Sequence, residues 1–193
     1  MITERPTHPE LVRALAKPGA DILATLTPAK VNLWHAITGI SGEAAELLEA
    51  VCAGLTNREG VKEESGDLYF YIEQLCQELQ YSLNWEQIEK RALAIRATHP
   101  GTTEGLAVQI VVRAGVVLDL VKKHVIYNKE LDLVQLEAAL INLAAHIGAV
   151  GRLYFMHRDL TLNHNISKLS KRYEGLKYSD QAAQARKDKE EGK

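Results

Sequence analysis

Apolar residues return every three or four positions along almost the whole chain, and the every-second-residue alternation of a half-exposed strand is nearly absent. A repeat near 3.6 residues puts one stripe of each segment toward a core, and packing helix on helix is what buries such stripes. The expected fold is therefore all-α, a helical bundle. Helices are expected at roughly residues 8–25, 28–53, 59–80, 84–97, 103–126, 132–157 and 160–173. Their boundaries are marked by Thr27-Pro28, Asn57, Asn84, the segment "HPGTTEG" at 99–105 and Asn128. Beyond Glu174 the chain is polar, with Tyr178 as the residue able to hold a tail against the body.

The segment at 99–105 divides the chain near its middle, and the two sides resemble each other. A shift of 70 positions lays "LLEAV" (47–51) on "VLDLV" (117–121). A shift of 75 lays Leu68, Ile72 and Leu75 on Leu143, Ile147 and Val150. Two helical hairpins built on one plan account for both matches, and the five-residue difference falls in the turn between paired helices.

Charge and composition exclude several classes. A net charge of −2 over 193 residues leaves no basic footprint for nucleic acid. The window "LAVQIVVRAGVVLDLV" is interrupted by Gln109, Arg113 and Asp119, so no membrane partner is expected from it. The N-terminal "MITERPTHPE" has no apolar h-region, so no signal peptide is expected. Cys52 and Cys76 show no CxxC spacing and are expected as buried free thiols in a reducing compartment. Cytoplasmic localisation is the expectation.

The segment "ISGEAAELLEAV" (40–51) sets Glu43, Glu46 and Glu49 along one edge of a helix, beside an apolar stripe of Ala45, Leu47, Leu48 and Val51. Like charges one turn apart cost a few tenths of a kcal/mol, so a solvated face tolerates them without gaining from them. Glu43 and Glu46 lie about 60° apart around the helix. A second pair, Glu64 and Asp67, opens the next helix after a short turn. Antiparallel packing of the two helices brings four carboxylates into one groove, where they need a cation to stay ionised. All-oxygen ligands suit Mg²⁺ or Mn²⁺, the metals of phosphate chemistry.

The string "GISGEAAELLEAV … VKEESGDLYFYIEQL" resembles the MazG-like, all-α nucleoside triphosphate pyrophosphohydrolases, whose signature is ExxE on one helix and ExxD on the next. "NISKLSKRYEGLKYSDQAAQARKD" and "VKKHVIYNKELD" resemble further segments of phage and bacterial members, and together the matches span most of residues 27 to 189. The resemblance implies Mg²⁺-dependent hydrolysis of a (deoxy)nucleoside triphosphate between its α and β phosphates, with Glu43, Glu46, Glu64 and Asp67 as metal ligands and catalytic residues. A dUTP or dCTP hydrolase, a non-catalytic nucleotide-binding module and a structural adaptor are the alternatives.

Family members carry one set of motifs per chain and pair as dimers, whereas here the parts are spread over two repeats. At the positions of the acids the second repeat has Arg113, Val116, Ala139 and Asn142. The first repeat has "IEKRALAI" where the second has Asn165, Ile166, Ser167 and Lys168. These complementary losses suggest a fused pseudo-dimer with one composite site. Residues 1–98 form the first repeat, with the acids, 99–173 the degenerate second, and 174–193 a polar tail. The second repeat would supply Asn165, Lys168, Lys171, Arg172 and Tyr173 to the phosphates or base, with His35 added from the first. Glu49 and Glu63 adjoin the acids as candidates to activate water or orient a ligand, and Trp34 and Trp85 as candidates to stack a base. Arg113 is a candidate for a salt bridge across the pseudo-dimer. Further pairing into a homodimer of pseudo-dimers is left open.

Overall fold

A computed structural model describes residues 5–98 and 101–188. The helices are α1 (His8–Leu15), α2 (Gly19–Leu23), α3 (Pro28–Cys52), α4 (Arg58–Glu78), α5 (Trp85–Thr98), α6 (Thr103–Tyr127), α7 (Leu133–Leu153), α8 (Arg158–Arg172) and α9 (Asp180–Ala185). A 3₁₀ turn, Glu174–Leu176, links α8 to α9. No strand occurs among the described residues, so the chain is all-α as its periodicity requires.

Local chemistry sets most boundaries. Thr27 caps α3 by accepting from Lys30 N–H at 3.3 Å, and Pro28 occupies the first turn, where its missing N–H is harmless. Asn84 accepts from Gln87 N–H at 3.0 Å to open α5, Thr102 from Gly105 N–H at 3.2 Å to open α6, and Asp132 from Gln135 N–H at 2.9 Å to open α7. Asn128 ends α6 in the left-handed region at φ 55°. Asn57 behaves differently: its amide donates back to the Ala50 carbonyl at 3.0 Å, closing the α3–α4 turn.

Several boundaries differ from expectation. The helix expected over 8–25 is two, because Pro18 drives the residue before it away from helical geometry. The helix expected to reach 157 stops at Leu153, where Phe155 takes φ 56° and Met156 N–H returns to the Gly151 carbonyl at 2.9 Å. Of the segment expected as a linker over 99–105, residues 99 and 100 lie outside the described residues, and Thr103 to Gly105 already belong to α6.

The helices pack in pairs: α3 on α4, α6 on α7, and α3 on α6 between the halves. The last helix of each half crosses over, α5 lying on α7 and α8 on α4. Burial follows a matching register. Ala36, Ile37, Ile40, Ala44, Leu47 and Val51 of α3 are buried, and so are Leu106, Ala107, Ile110, Ala114, Val117 and Val121, each seventy positions later on α6. In α3 it is Ala44 that enters the core, while Ala45 faces solvent. Cys76 is buried as expected, its thiol pushed up to about 12 chiefly by burial, but Cys52, at the frayed end of α3, is exposed. Helix α7 is long and apolar enough to cross a membrane by length and composition alone, yet much of it is enclosed by the other helices of this one core.

Ile110 is fully buried in the α6 face that meets α3. Ile110→Ala is expected to cost about 2–5 kcal/mol in urea unfolding, the range for a truncated core residue whose cavity does not collapse.

Candidate functional site

Helix α3 carries Glu43 and Glu46, and α4, packed beside it, carries Glu63, Glu64 and Asp67. Carboxylate oxygens of Glu43, Glu64 and Asp67 lie within 4.8 Å of one another, and all three residues are half-buried. Glu46 is exposed and stands at the rim, outside this triad. It still acts through space, since its charge helps raise the pKa of both Glu43 and Glu64. Glu49 is exposed.

Crowding shows in the protonation chemistry. The Glu43 carboxyl is pushed up to about 8, first by burial and then by the charges of Asp67, Glu46 and Glu64. Glu64 is raised as well, by burial and by Glu63 and Glu46, although a hydrogen bond to Glu43 works the other way. Three carboxylates at this spacing with all-oxygen donors form a set into which a hard divalent cation fits.

Helix α8 reaches the triad from the other half of the chain. Asn165 donates its side-chain N–H to Asp67 Oδ1 at 2.6 Å, and the Lys168 ammonium bonds Asp67 Oδ2. Lys168 also meets Glu63 Oε1 at 3.4 Å. Only 8% of Lys168 is exposed, so its charge is spent within the protein on these acids. Gly66 makes the approach possible: a Cβ there would lie 3.0 Å from Asn165 Cβ.

The triad opens into a cleft of about 840 Å³ lined by Glu43 and Asp67, by His35 of α3, and by Phe70, Tyr71 and Gln74 of α4. The rest of the lining comes from the end of α8 and the segment after it, including Arg172, Tyr173, Leu176, Tyr178 and Arg186. His35 packs edge-on against Tyr71 with ring centres 5.8 Å apart, and its Nδ1 lies 3.3 Å from Gln74 Nε2. Arg172 forms a two-pronged ion pair with Asp188, both contacts 2.7 Å. Lys171 lies on the exposed side of α8 and is not among the lining residues.

Trp34 and Trp85 pack against the core and do not line the cleft; Trp85 lies under the Arg158 guanidinium, 3.6 Å from ring centre to Cζ. Arg113, expected to bridge to an acid, instead donates to Gln109 Oε1 at 3.3 Å and to the His146 ring. His146 Nδ1–H donates to the Asn142 carbonyl at 2.7 Å, which leaves Nε2 to accept from Arg113 at 3.4 Å. The lining residues missed from sequence include Phe70, Tyr71, Gln74 and Arg186. Phe70 and Tyr71 carried a usable signal, standing three and four positions after Asp67 on the same helix face.

No family model, curated protein or solved structure matches the chain.

An acid whose folded pKa is raised favours folding when protonated, so its contribution is present at low pH and lost as pH climbs. In chelator, the melting temperature is therefore expected to fall between the ordinary carboxylate range and about pH 8, the value for Glu43. Mg²⁺ should restore it at the upper end, since a ligand bound only by the folded state stabilises that state. In Glu43→Gln both the decline and the Mg²⁺ response should shrink, as calorimetry across the pH range would show.

Proposed function

We propose that the chain is a divalent-metal-dependent nucleoside triphosphate pyrophosphohydrolase with one composite site, of the MazG-like kind that its motifs resemble. The observation that carries this is the convergence of Glu43, Glu64 and Asp67, two of which line the cleft, with Asn165 and Lys168 of α8 bonded to Asp67. An isolated acidic patch on a solvated surface has no reason to sit half-buried at a ligand-sized cleft, with a buried lysine against it.

Glu43, Glu64 and Asp67 would hold Mg²⁺ or Mn²⁺, with Glu46 at the rim adding negative charge. When bound, the cation offsets charge on the phosphates and lowers the pKa of an attacking water. Net chemistry adds water across the bridging P–O bond between the α and β phosphates, giving a monophosphate and pyrophosphate. Asn165 and Lys168 fix Asp67 by engaging both of its oxygens. His35, Arg172 and Tyr173 line the remainder of the cleft. Glu63, which meets Lys168 at 3.4 Å, is the residue to which this reading would assign acceptance of a proton from the attacking water.

We also read the chain as a fused pseudo-dimer. The shared burial register of α3 with α6, and the reciprocal crossing of α5 onto α7 and of α8 onto α4, support that reading. One half then keeps the acids and the other keeps the polar helix. A deoxynucleotide-cleansing or base-modification role in the cytoplasm suits such an activity, in the host cell if the chain is phage-encoded.

Each deoxynucleoside triphosphate incubated with the protein and Mg²⁺ is the direct test, with pyrophosphate as readout. Glu43→Gln and Asp67→Asn should lower turnover by about 100-fold, as expected when several kcal/mol of charge stabilisation is lost. Lys168→Ala should lower it as well, and wild-type turnover in that variant would refute the shared site. Metal-dependent nucleotide binding without pyrophosphate would make the chain a binding module, and neither would make it an adaptor.

A further inference from the structure

The cleft lining is of two kinds: Glu43 and Asp67 are acids, and most of the rest is aromatic or aliphatic. Leu176 is 79% exposed, Tyr178 69% and Phe70 46%, so three large apolar side chains face water at the same cleft. Tyr173 and Tyr178 add two ring faces with centres 5.7 Å apart and planes tilted by 34°. Such faces do nothing for a phosphate. They suit a planar heterocycle, which buries its own faces against rings.

The segment that supplies these groups is held in place by specific contacts. Asp188, its side chain 1% exposed, takes both prongs of Arg172 and draws the chain back sixteen residues onto the end of α8. Between them, Tyr178 O–H donates to Asp180 Oδ1 at 2.8 Å, and Ser179 caps α9 by accepting from Ala182 N–H at 3.1 Å. Two lining residues, Leu176 at φ 53° and Arg186 at φ 46°, take the left-handed backbone that side chains disfavour. Non-glycine residues held in that region cluster at ligand sites, where surrounding contacts over-determine them.

We propose that residues 173–188 are the base-recognising wall of the cleft, with Tyr178 as the ring on which a nucleobase lies and the Arg172–Asp188 pair as its positioning device. This rests on the function proposed above and extends it to how the base is chosen. Arg172 then acts through Asp188 and not by touching phosphate. Phosphates go to the acidic end and the base to the aromatic end, so one molecule spans the cleft.

Two probes separate the ends: a non-hydrolysable α,β-imido deoxynucleoside triphosphate, and inorganic tripolyphosphate, which has the phosphates without the base. Binding of each to the full chain is measured by calorimetry with Mg²⁺. Tyr178→Ala is expected to weaken the nucleotide about tenfold, the scale of one lost base–aromatic contact, while tripolyphosphate affinity holds. Tyr178→Phe, which keeps the ring and loses only the bond to Asp180, should bind both probes as wild type does. Asp188→Asn should reproduce the nucleotide-selective loss, and Asp188→Glu should largely repair it. Equal loss of both probes in Tyr178→Ala, or no loss of either, overturns the wall. Wild-type protein that binds tripolyphosphate but not the nucleotide overturns it too and leaves the metal–phosphate end standing. Binding of neither probe removes the proposed function, and the wall with it.

Discussion

The arrangement of this molecule depends on three carboxylates that would rather be apart. Unit charges about 4 Å apart repel by about 1 kcal/mol in water and about 4 kcal/mol near a protein surface, and half-burial puts the triad toward the second figure. The core forces the contact. Ala44 and Leu47 flank Glu43 on α3, Leu68 follows Asp67 on α4, and all three apolar residues are buried. The acids are carried together because their neighbours must be inside. Protonation of Glu43 and the buried Lys168 ammonium are the two ways in which the protein itself relieves the repulsion.

The buried seam between α4 and α8 makes sense in those terms. The corresponding contact in the other half, α5 on α7, buries Ile88 and Ala92 and keeps its ion pair, Arg152 with Glu89, at partly exposed positions. Helix α8 instead buries Thr161, Asn165 and Lys168. A buried lysine is tolerated only with an acid to receive it, and a buried amide N–H only with an acceptor. Asp67 answers both at once, one oxygen for each. The seam is therefore as much a consequence of the acids as a complement to them. Removing Asp67 would leave the ammonium with Glu63 alone at 3.4 Å, whereas removing the lysine would leave the acids with one less partner.

Much of this was legible from residues alone, and the reasons differ by feature. Helix positions followed from period, and the side-chain caps at Thr27 and Asn84 from local chemistry that needs no tertiary context. Pro18 was equally local, and a helix drawn through it was an error of weighting. Ala44 and Ala45 could not be told apart because a single small residue barely shifts an apolar stripe. Spacing found Glu43, Glu64 and Asp67, since i, i+3 pairs on adjacent antiparallel helices have few other places to go. Glu46 shows the limit: the same spacing that puts it near Glu43 also turns it toward the rim. In the cleft wall Arg172 and Tyr173 were within reach, but Leu176 and Arg186 were not, because that part of an otherwise polar tail is positioned by an ion pair whose partners lie sixteen residues apart.

Two glycines connect the packing to the cleft. A Cβ on Gly39 would sit 2.5 Å from Tyr71 ring atoms, so the bare backbone of α3 is what lets that ring lie against it. Tyr71 in turn holds His35 edge-on at the same wall. Gly66 does for α8 what Gly39 does for Tyr71, and a methyl there would press on Asn165 Cβ at 3.0 Å and on its Nδ2 at 3.2 Å. Glycine inside a helix costs roughly 0.5–1 kcal/mol relative to alanine. At Gly66 that cost is set against the bond from Asn165 to Asp67, which a displaced α8 would lose. The close approach of α8 to α4 is thus the step by which a residue without a side chain positions two that have them.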